Sequence, residues 1–193
     1  MAEVPSTFRL VAGSLAPDFA LPDGRGIRHS LGNLADGKAA TVIVFACNHC
    51  PFVVHLAESL GRRARDWAGR GVQTIAINAN DTTKYPADAP DRMPGFAEAH
   101  GWDFPYLVDA DQSVAKAYAA ACTPDFYLFD RDLRLAYAGQ YDTSRPGKGV
   151  PTGDDLARAI DTLLETGAGP AAPWLPSTGC NIKWLPGNAP DYF

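Results

Sequence analysis

The chain has 193 residues, 46% apolar and 20% charged, with a formal net charge of −5. That length supports one domain with a substantial core, and the acidic balance argues against nucleic acid as a main partner. No apolar run approaches the ~20 residues of a membrane span, and Met1 to Phe8 lacks a basic region followed by an apolar stretch, so no signal peptide is read and the cytoplasm is the expected compartment.

In chain order, Ala16-Pro17-Asp18-Phe19-Ala20-Leu21-Pro22-Asp23-Gly24 reads as a short strand ending in a turn, and Gly26 to Leu31 as its returning partner. Thr41 to Phe45 is apolar or β-branched throughout, the pattern of a strand buried on both faces. A helix is predicted over Phe52 to Ala68, because Val53, Leu56, Leu60, Ala64 and Trp67 recur at spacings of three and four. Pro51 suits its first position, where a missing N–H costs nothing, and Gly69 and Gly71 end it. Val72 to Ile77 is a second buried strand, so strand, helix and strand form a βαβ unit with parallel strands.

Asp91 to His100 and Gln112 to Ala121 are predicted short helices, and Asn78-Ala79-Asn80-Asp81 a loop with Asx turns at the carboxyl end of the second strand. Asp125 to Phe129 is a strand, turned by Asp130-Arg131-Asp132 into an antiparallel partner over Leu133 to Ala138. A last helix runs from about Gly153 to Glu165, with Thr152 and Asp155 as a capping box, a stripe of Leu156, Ala159, Ile160, Leu163 and Leu164, and Gly167 as its stop. Residues 1–167 thus make up the expected domain. The tail, 168–193, is rich in Pro and Gly without periodicity, yet it carries Trp174, Trp184, Tyr192 and Phe193. Such aromatic content predicts that it packs on the domain.

The chemistry lies between the first buried strand and its helix, in Cys47-Asn48-His49-Cys50-Pro51. Two thiols at Cys-x-x-Cys spacing can close and reopen a small disulfide ring. A helix N-terminus favours thiolate over thiol through its partial positive charge and unpaired N–H groups. If Pro51 opens the helix, Cys50 is the N-cap, and its sulfur is expected to accept from the N–H groups of Phe52 and Val53. That argument favours Cys50 as the attacking thiol, whereas the usual order in Cys-x-x-Cys favours Cys47. His49, as imidazolium, would favour the thiolate further; read otherwise, it is a solvent-facing loop residue. His29, His55 and His100 have no comparable context. Downstream, Cys122-Thr123-Pro124 precedes a strand, and a Thr-Pro bond entering a strand beside a redox loop is where a cis proline is expected. The four cysteines do not read as structural staples in a cytosolic chain, and a zinc ribbon's second Cys-x-x-Cys is absent.

Apolar strand, Cys-x-x-Cys at a helix start, Thr-Pro before a hairpin and a final helix together resemble the thioredoxin-like fold. Ala16-Pro17-Asp18-Phe19 resembles the peroxiredoxin-like branch, the alkyl hydroperoxide reductase and thiol-specific antioxidant superfamily. The Cys-Asn-His-Cys-Pro loop, Cys122 to Phe126 and Pro176-Ser177-Thr178-Gly179-Cys180-Asn181-Ile182-Lys183-Trp184 resemble one bacterial subgroup within it. The resemblance implies an α/β fold with a mixed central sheet flanked by helices, an N-terminal β-hairpin and an irregular C-terminal extension. It also places Thr123 and Pro124 against the redox loop, where Thr123 would offer backbone hydrogen bonds to an extended substrate. Cys122 would then lie near Cys47 and Cys50, as a third redox thiol or as an inert buried one. Cys180 becomes an accessory resolving thiol if the tail folds back.

Two departures stand out. The peroxiredoxin Pro-x-x-x-Thr-x-x-Cys loop is absent, with Ala46-Cys47-Asn48-His49 in its stretch. An ungapped match to thioredoxins puts Val44 where those proteins bury an acid, Cys50 at the attacking position and Val53 at the resolving one, so Cys47 must resolve from the other side. The expected function is a thiol-disulfide oxidoreductase with an antioxidant or redox-homeostasis role, acting on protein or small-molecule disulfides and recharged by a separate thiol reductant, without a cofactor or resident metal. One alternative is a thiol peroxidase. Another, of a different class, is a metal-binding module with Cys47, Cys50, Cys122 and His49 as ligands.

Overall fold

A computed structural model describes residues 3–192, so the expectation that Phe193 docks lies outside the described residues. In chain order the elements are β1 (Glu3–Pro5), β2 (Ala20–Pro22), β3 (Arg28–Ser30), α1 (Leu31–Ala35), β4 (Ala40–Phe45), α2 (Pro51–Ala68), β5 (Val72–Asn78), α3 (Met93–Ala99), β6 (Tyr106–Val108), α4 (Ser113–Ala117), β7 (Cys122–Thr123), β8 (Asp125–Asp130), β9 (Leu135–Gly139), α5 (Asp154–Thr166) and β10 (Thr178–Asn181).

All six residues of β4 are buried, because β4 lies at the middle of a five-stranded mixed sheet ordered β6-β5-β4-β8-β9. Its alternating side chains feed two cores. Val42 and Val44 pack with Leu56, Leu60 and Trp67 of α2 and with Leu156 and Ile160 of α5. Ile43 and Phe45 pack on the other face with Val114 and Ala115 of α4 and with Tyr118. The βαβ unit is present, since β4 and β5 run parallel with Val44 opposite Ala76. β2 and β3 form the hairpin read around Asp23-Gly24. Among the described residues no helix is long and apolar enough to cross a membrane.

One register fixes the site. β8 runs antiparallel to β4 with Phe45 opposite Asp125, so the end of β4 meets the start of β8. The loop carrying Cys47 and Cys50 therefore emerges beside Cys122-Thr123-Pro124. The Thr123-Pro124 peptide is cis, as the sequence pattern predicts.

Four local expectations are revised. The helix expected over 112–121 spans only Ser113–Ala117, because Gln112 and Ala119 adopt left-handed backbone at φ 63° and 51°. Gln112 is drawn out of the helix by its side chain, which donates to the carbonyls of Ala79 and Lys183. The helix expected over 91–100 is split into a 3-10 turn, Pro90–Arg92, followed by α3. The capping box at α5 does not form: Gly153 is the N-cap, and Asp142 Oδ2 accepts from the N–H groups of Thr152 and Gly153, both at 2.7 Å. Asp155 instead accepts from Gln140. The C-terminal extension is not wholly irregular, because residues 178–181 form β10.

β10 is the middle strand of a second sheet, β1-β10-β7, with Glu3 and Thr123 on either side of Cys180. Gly179 makes that fit possible. A Cβ there would stand 2.1 Å from the Thr123 carbonyl oxygen and 3.2 Å from Pro124 Cδ. Backbone flanked by two paired strands has nowhere to yield. Gly179→Ala is therefore expected to destabilise the fold by about 1–3 kcal/mol, read as a lower midpoint of urea unfolding; an unchanged midpoint contradicts this packing.

Candidate active site

All four cysteines are free thiols and all are buried. Cys50 is the N-cap of α2 with Pro51 at the first helical position, as predicted, but its sulfur makes no capping hydrogen bond. The expected capping bonds from Phe52 and Val53 do not form, although the Val53 N–H still favours the thiolate; the Cys50 thiol instead donates to the Thr123 carbonyl at 3.1 Å. The reason is the β4–β8 register, which sets that carbonyl over the helix start. Cys47 Sγ lies 3.7 Å from Thr123 Oγ1 and 3.9 Å from His49 Nδ1.

The two loop sulfurs act on each other, and that interaction polarises the pair. Cys50 is pushed down to about 5, first by Cys47, with burial opposing and Thr123, Cys180 and the Val53 N–H assisting. Cys47 is pushed up by the same interaction with Cys50, then by burial and by the negative charges of Asp88 and Cys50, with Thr123 pulling the other way. The Thr123 carbonyl works against a thiolate, since it bonds only the protonated form. The net direction is down for Cys50 and up for Cys47.

Asp88 was not a sequence candidate, yet it organises the loop. It closes the 3-10 turn Pro86–Asp88 and is 0% exposed. Its Oδ1 accepts from the backbone N–H groups of Asn48 (2.8 Å) and His49 (3.1 Å). Its Oδ2 accepts from Asn80 Nδ2 (2.8 Å) and pairs with His49 Nδ1 (2.6 Å). His49 also stacks on Tyr85, with ring centroids 5.3 Å apart, so it is a packed residue rather than a solvent-facing one. Asn48 is held by Tyr106, whose hydroxyl donates to its Oδ1 at 3.0 Å. Asn78 donates to the Asp88 carbonyl, so the loop after β5 shapes the site as well as making its Asx turns. The paired asparagines after a buried strand were a usable signal. Asp88 had none, because Tyr85-Pro86-Ala87-Asp88-Ala89-Pro90 shows no periodicity.

Cys47 Sγ, a His49 ring nitrogen and an Asp88 carboxylate oxygen lie within 4.8 Å of one another, a grouping able to hold a metal ion. Among the described residues neither Cys50 nor Cys122 joins it, so the four ligands read from the sequence are not gathered as one set. The Cys122 thiol donates to the Pro124 carbonyl at 3.5 Å and is pushed up by burial. Cys180 lies in the same buried cluster as Cys47 and Cys50 and is pushed up to about 12, by burial first and then by Cys50.

With Cys50 replaced by serine, burial and Asp88 are the raising causes left at Cys47. In that background Asp88→Asn is expected to lower the pH at which the Cys47 thiolate appears, measured by ultraviolet thiolate absorbance. An unmoved or raised midpoint would show that Asp88 is not acting through its charge.

The solved structure of an uncharacterized conserved protein from Geobacillus kaustophilus matches this fold with a TM-score of 0.90 and 49% identity, over 97% of this chain and 98% of that one. A Mycobacterium tuberculosis protein provisionally named a peroxiredoxin is 29% identical over 163 residues, 78% of this chain and 98% of its own length. The thiol-disulfide oxidoreductase ResA of Geobacillus kaustophilus is 26% identical over 160 residues, 80% of this chain and 79% of its own. Residues 12–138 match the AhpC/TSA family, including β4, the thiol loop and β8; this chain belongs to that family.

Proposed function

We propose that the protein is a thiol-disulfide oxidoreductase in which Cys50 attacks and Cys47 resolves. The observation that carries this reading is Cys50 at the N-cap of α2 with Cys47 buried beside it, the surroundings lowering the Cys50 thiol and raising that of Cys47. The Cys50 thiolate attacks one sulfur of a substrate disulfide, and the other sulfur leaves as a thiolate and takes up a proton. Cys50 is then joined to the substrate in a mixed disulfide. Cys47 loses its proton and attacks the Cys50 sulfur, expelling the second substrate thiolate. The substrate gains two electrons, the protein closes a Cys47–Cys50 disulfide, and a separate thiol reductant reverses the exchange.

Thr123 and Pro124 form the wall opposite the sulfurs. Thr123 is 2% exposed and its carbonyl accepts from Cys50 only while that thiol keeps its proton, so the carbonyl is freed for a substrate once Cys50 is a thiolate. Cys47 and Cys50 are both 0% exposed. The edge of the loop that faces water is Pro51, with Asn48, His49 and Phe52 half-buried.

A second reading, reduction of hydroperoxides, is favoured by the relative named as a peroxiredoxin. Stopped-flow reaction with hydrogen peroxide separates the two: a rate no greater than that of a free thiol excludes a dedicated peroxidase.

Cys50→Ser is expected to lower disulfide reduction on the order of a thousandfold, whereas Cys47→Ser retains the first attack and forms the mixed disulfide on Cys50, detectable by mass spectrometry of the intact protein. Adduct formation at Cys47 in the Cys50→Ser protein at the wild-type rate would reverse the assignment. Because the Cys50 thiol is pushed down to about 5, its alkylation rate is expected to stay level through neutral pH and to fall as acid protonates it near that value. An inflection in the alkaline range of an ordinary thiol would contradict the polarised pair.

A further inference from the structure

We propose that Cys180 is a second resolving thiol, so that a mixed disulfide on Cys50 is cleared either by Cys47 from the loop or by Cys180 from β10, the latter route leaving a Cys50–Cys180 disulfide. This inference rests on Cys50 as the attacking sulfur.

The geometry comes from two registers. In an antiparallel pair, residues directly opposite each other project from the same face. Cys180 stands opposite Thr123, and the Thr123 side chain points at the redox loop, its Oγ1 3.7 Å from Cys47 Sγ. Cys180 therefore projects toward the same site. Cys122, one residue away on β7, projects from the opposite face, and its thiol is turned to the Pro124 carbonyl. Consistently, Cys180 belongs to the apolar cluster that holds Cys47 and Cys50, and Cys122 does not.

The charges explain why Cys180 waits. Burial holds its proton on first; interaction with Cys50 and the negative charge of Cys50 add to that, while Lys183 opposes them. When Cys50 becomes part of a mixed disulfide, its charge is gone and both contributions from Cys50 vanish. Burial remains, with a lysine beside it. Cys47 is released in the same way, but the carboxylate of Asp88 remains beside it. The two waiting thiols thus differ in the sign of the side-chain charge that stays to act on them, Asp88 on Cys47 and Lys183 on Cys180.

The step balances. Cys180 loses a proton and its thiolate attacks the Cys50 sulfur of the mixed disulfide. A Cys50–Cys180 bond forms, the bond to the substrate sulfur breaks, and the substrate leaves as a thiolate that takes up a proton. Cys180 and Cys50 are oxidised together, and the substrate disulfide is fully reduced.

The test uses full-length reduced protein and oxidised glutathione. In Cys47→Ser, the Cys50–glutathione adduct is expected to form and then to disappear, one glutathione being released as peptide mapping detects a Cys50–Cys180 crosslink. In Cys47→Ser/Cys180→Ser the adduct is expected to persist about tenfold longer or more, because an intramolecular attack has been removed. Cys47→Ser/Cys122→Ser should clear it as Cys47→Ser does, which controls for the loss of any buried thiol. An adduct that survives equally with and without Cys180, or whose loss depends on Cys122, overturns the assignment of Cys180 alone. Failure of any variant to form an adduct on Cys50 overturns both this inference and the role of Cys50 as attacker.

Discussion

The site depends on the 3.1 Å approach of the Cys50 sulfur to the Thr123 carbonyl. That contact records several unrelated constraints at once. β4 and β8 must pair in the register that opposes Phe45 and Asp125. β10 must lie flat against β7, which only a glycine at 179 allows. Pro51 must open α2 so that Cys50 stands at its cap. A carbonyl is a poor neighbour for an anion and a good one for a thiol. The other groups around the sulfur, the thiols of Cys47 and Cys180, the Thr123 hydroxyl and the Val53 N–H, favour the anion. Cys50 is thus provided with partners in both protonation states, so losing its proton exchanges one set of hydrogen bonds for another instead of leaving a charge bare in the core.

Charge on the far side of the loop comes from an unexpected element. The position where thioredoxins bury an acid is Val44 here, and the buried carboxylate beside Cys47 arrives from Asp88 in a 3-10 turn. Its backbone bonds to Asn48 and His49 hold the two residues between the cysteines in place. The imidazole of His49 is tied to the same carboxylate, which couples loop shape to the electrostatics of Cys47. Asp125, buried beneath β7, is pushed up to about 6 by burial despite bonds from Ser6, Ala121 and Tyr127. Its charge bears on Cys122, so the two buried acids flank different thiols.

The parts of this arrangement legible in the sequence were those with a period or a fixed local signature. The all-apolar run of β4, the stripe of α2, the proline at its first position and the Thr-Pro entering a strand each follow from local sterics or from burial of one face. What escaped was held by partners distant in the chain. Gln112 leaves its helix to reach the carbonyls of Ala79 and Lys183. The start of α5 is capped by Asp142 instead of Thr152. Cys50 turns from its own helix to Thr123, 73 residues on. Four residues in a Pro/Gly-rich stretch become β10 because two strands flank them, with no hydrophobic pattern of their own. Asp88 lies in a segment without pattern, and only the folded chain reveals that four donors converge on its carboxylate.

β10 also orders events in time. Residue 180 joins residue 3 on one edge and residue 123 on the other, a pairing of great sequence separation that cannot close before the last part of the chain is present. On a ribosome the strand emerges after every other element of the sheet. A nascent chain can therefore assemble the strand-helix-strand unit around Cys47 and Cys50 well before Gly179 and Cys180 close over Thr123. During that interval the loop thiols lack the third sulfur and the strand that backs their carbonyl, so the mature balance of acidity within the trio is a property acquired only once synthesis has passed it.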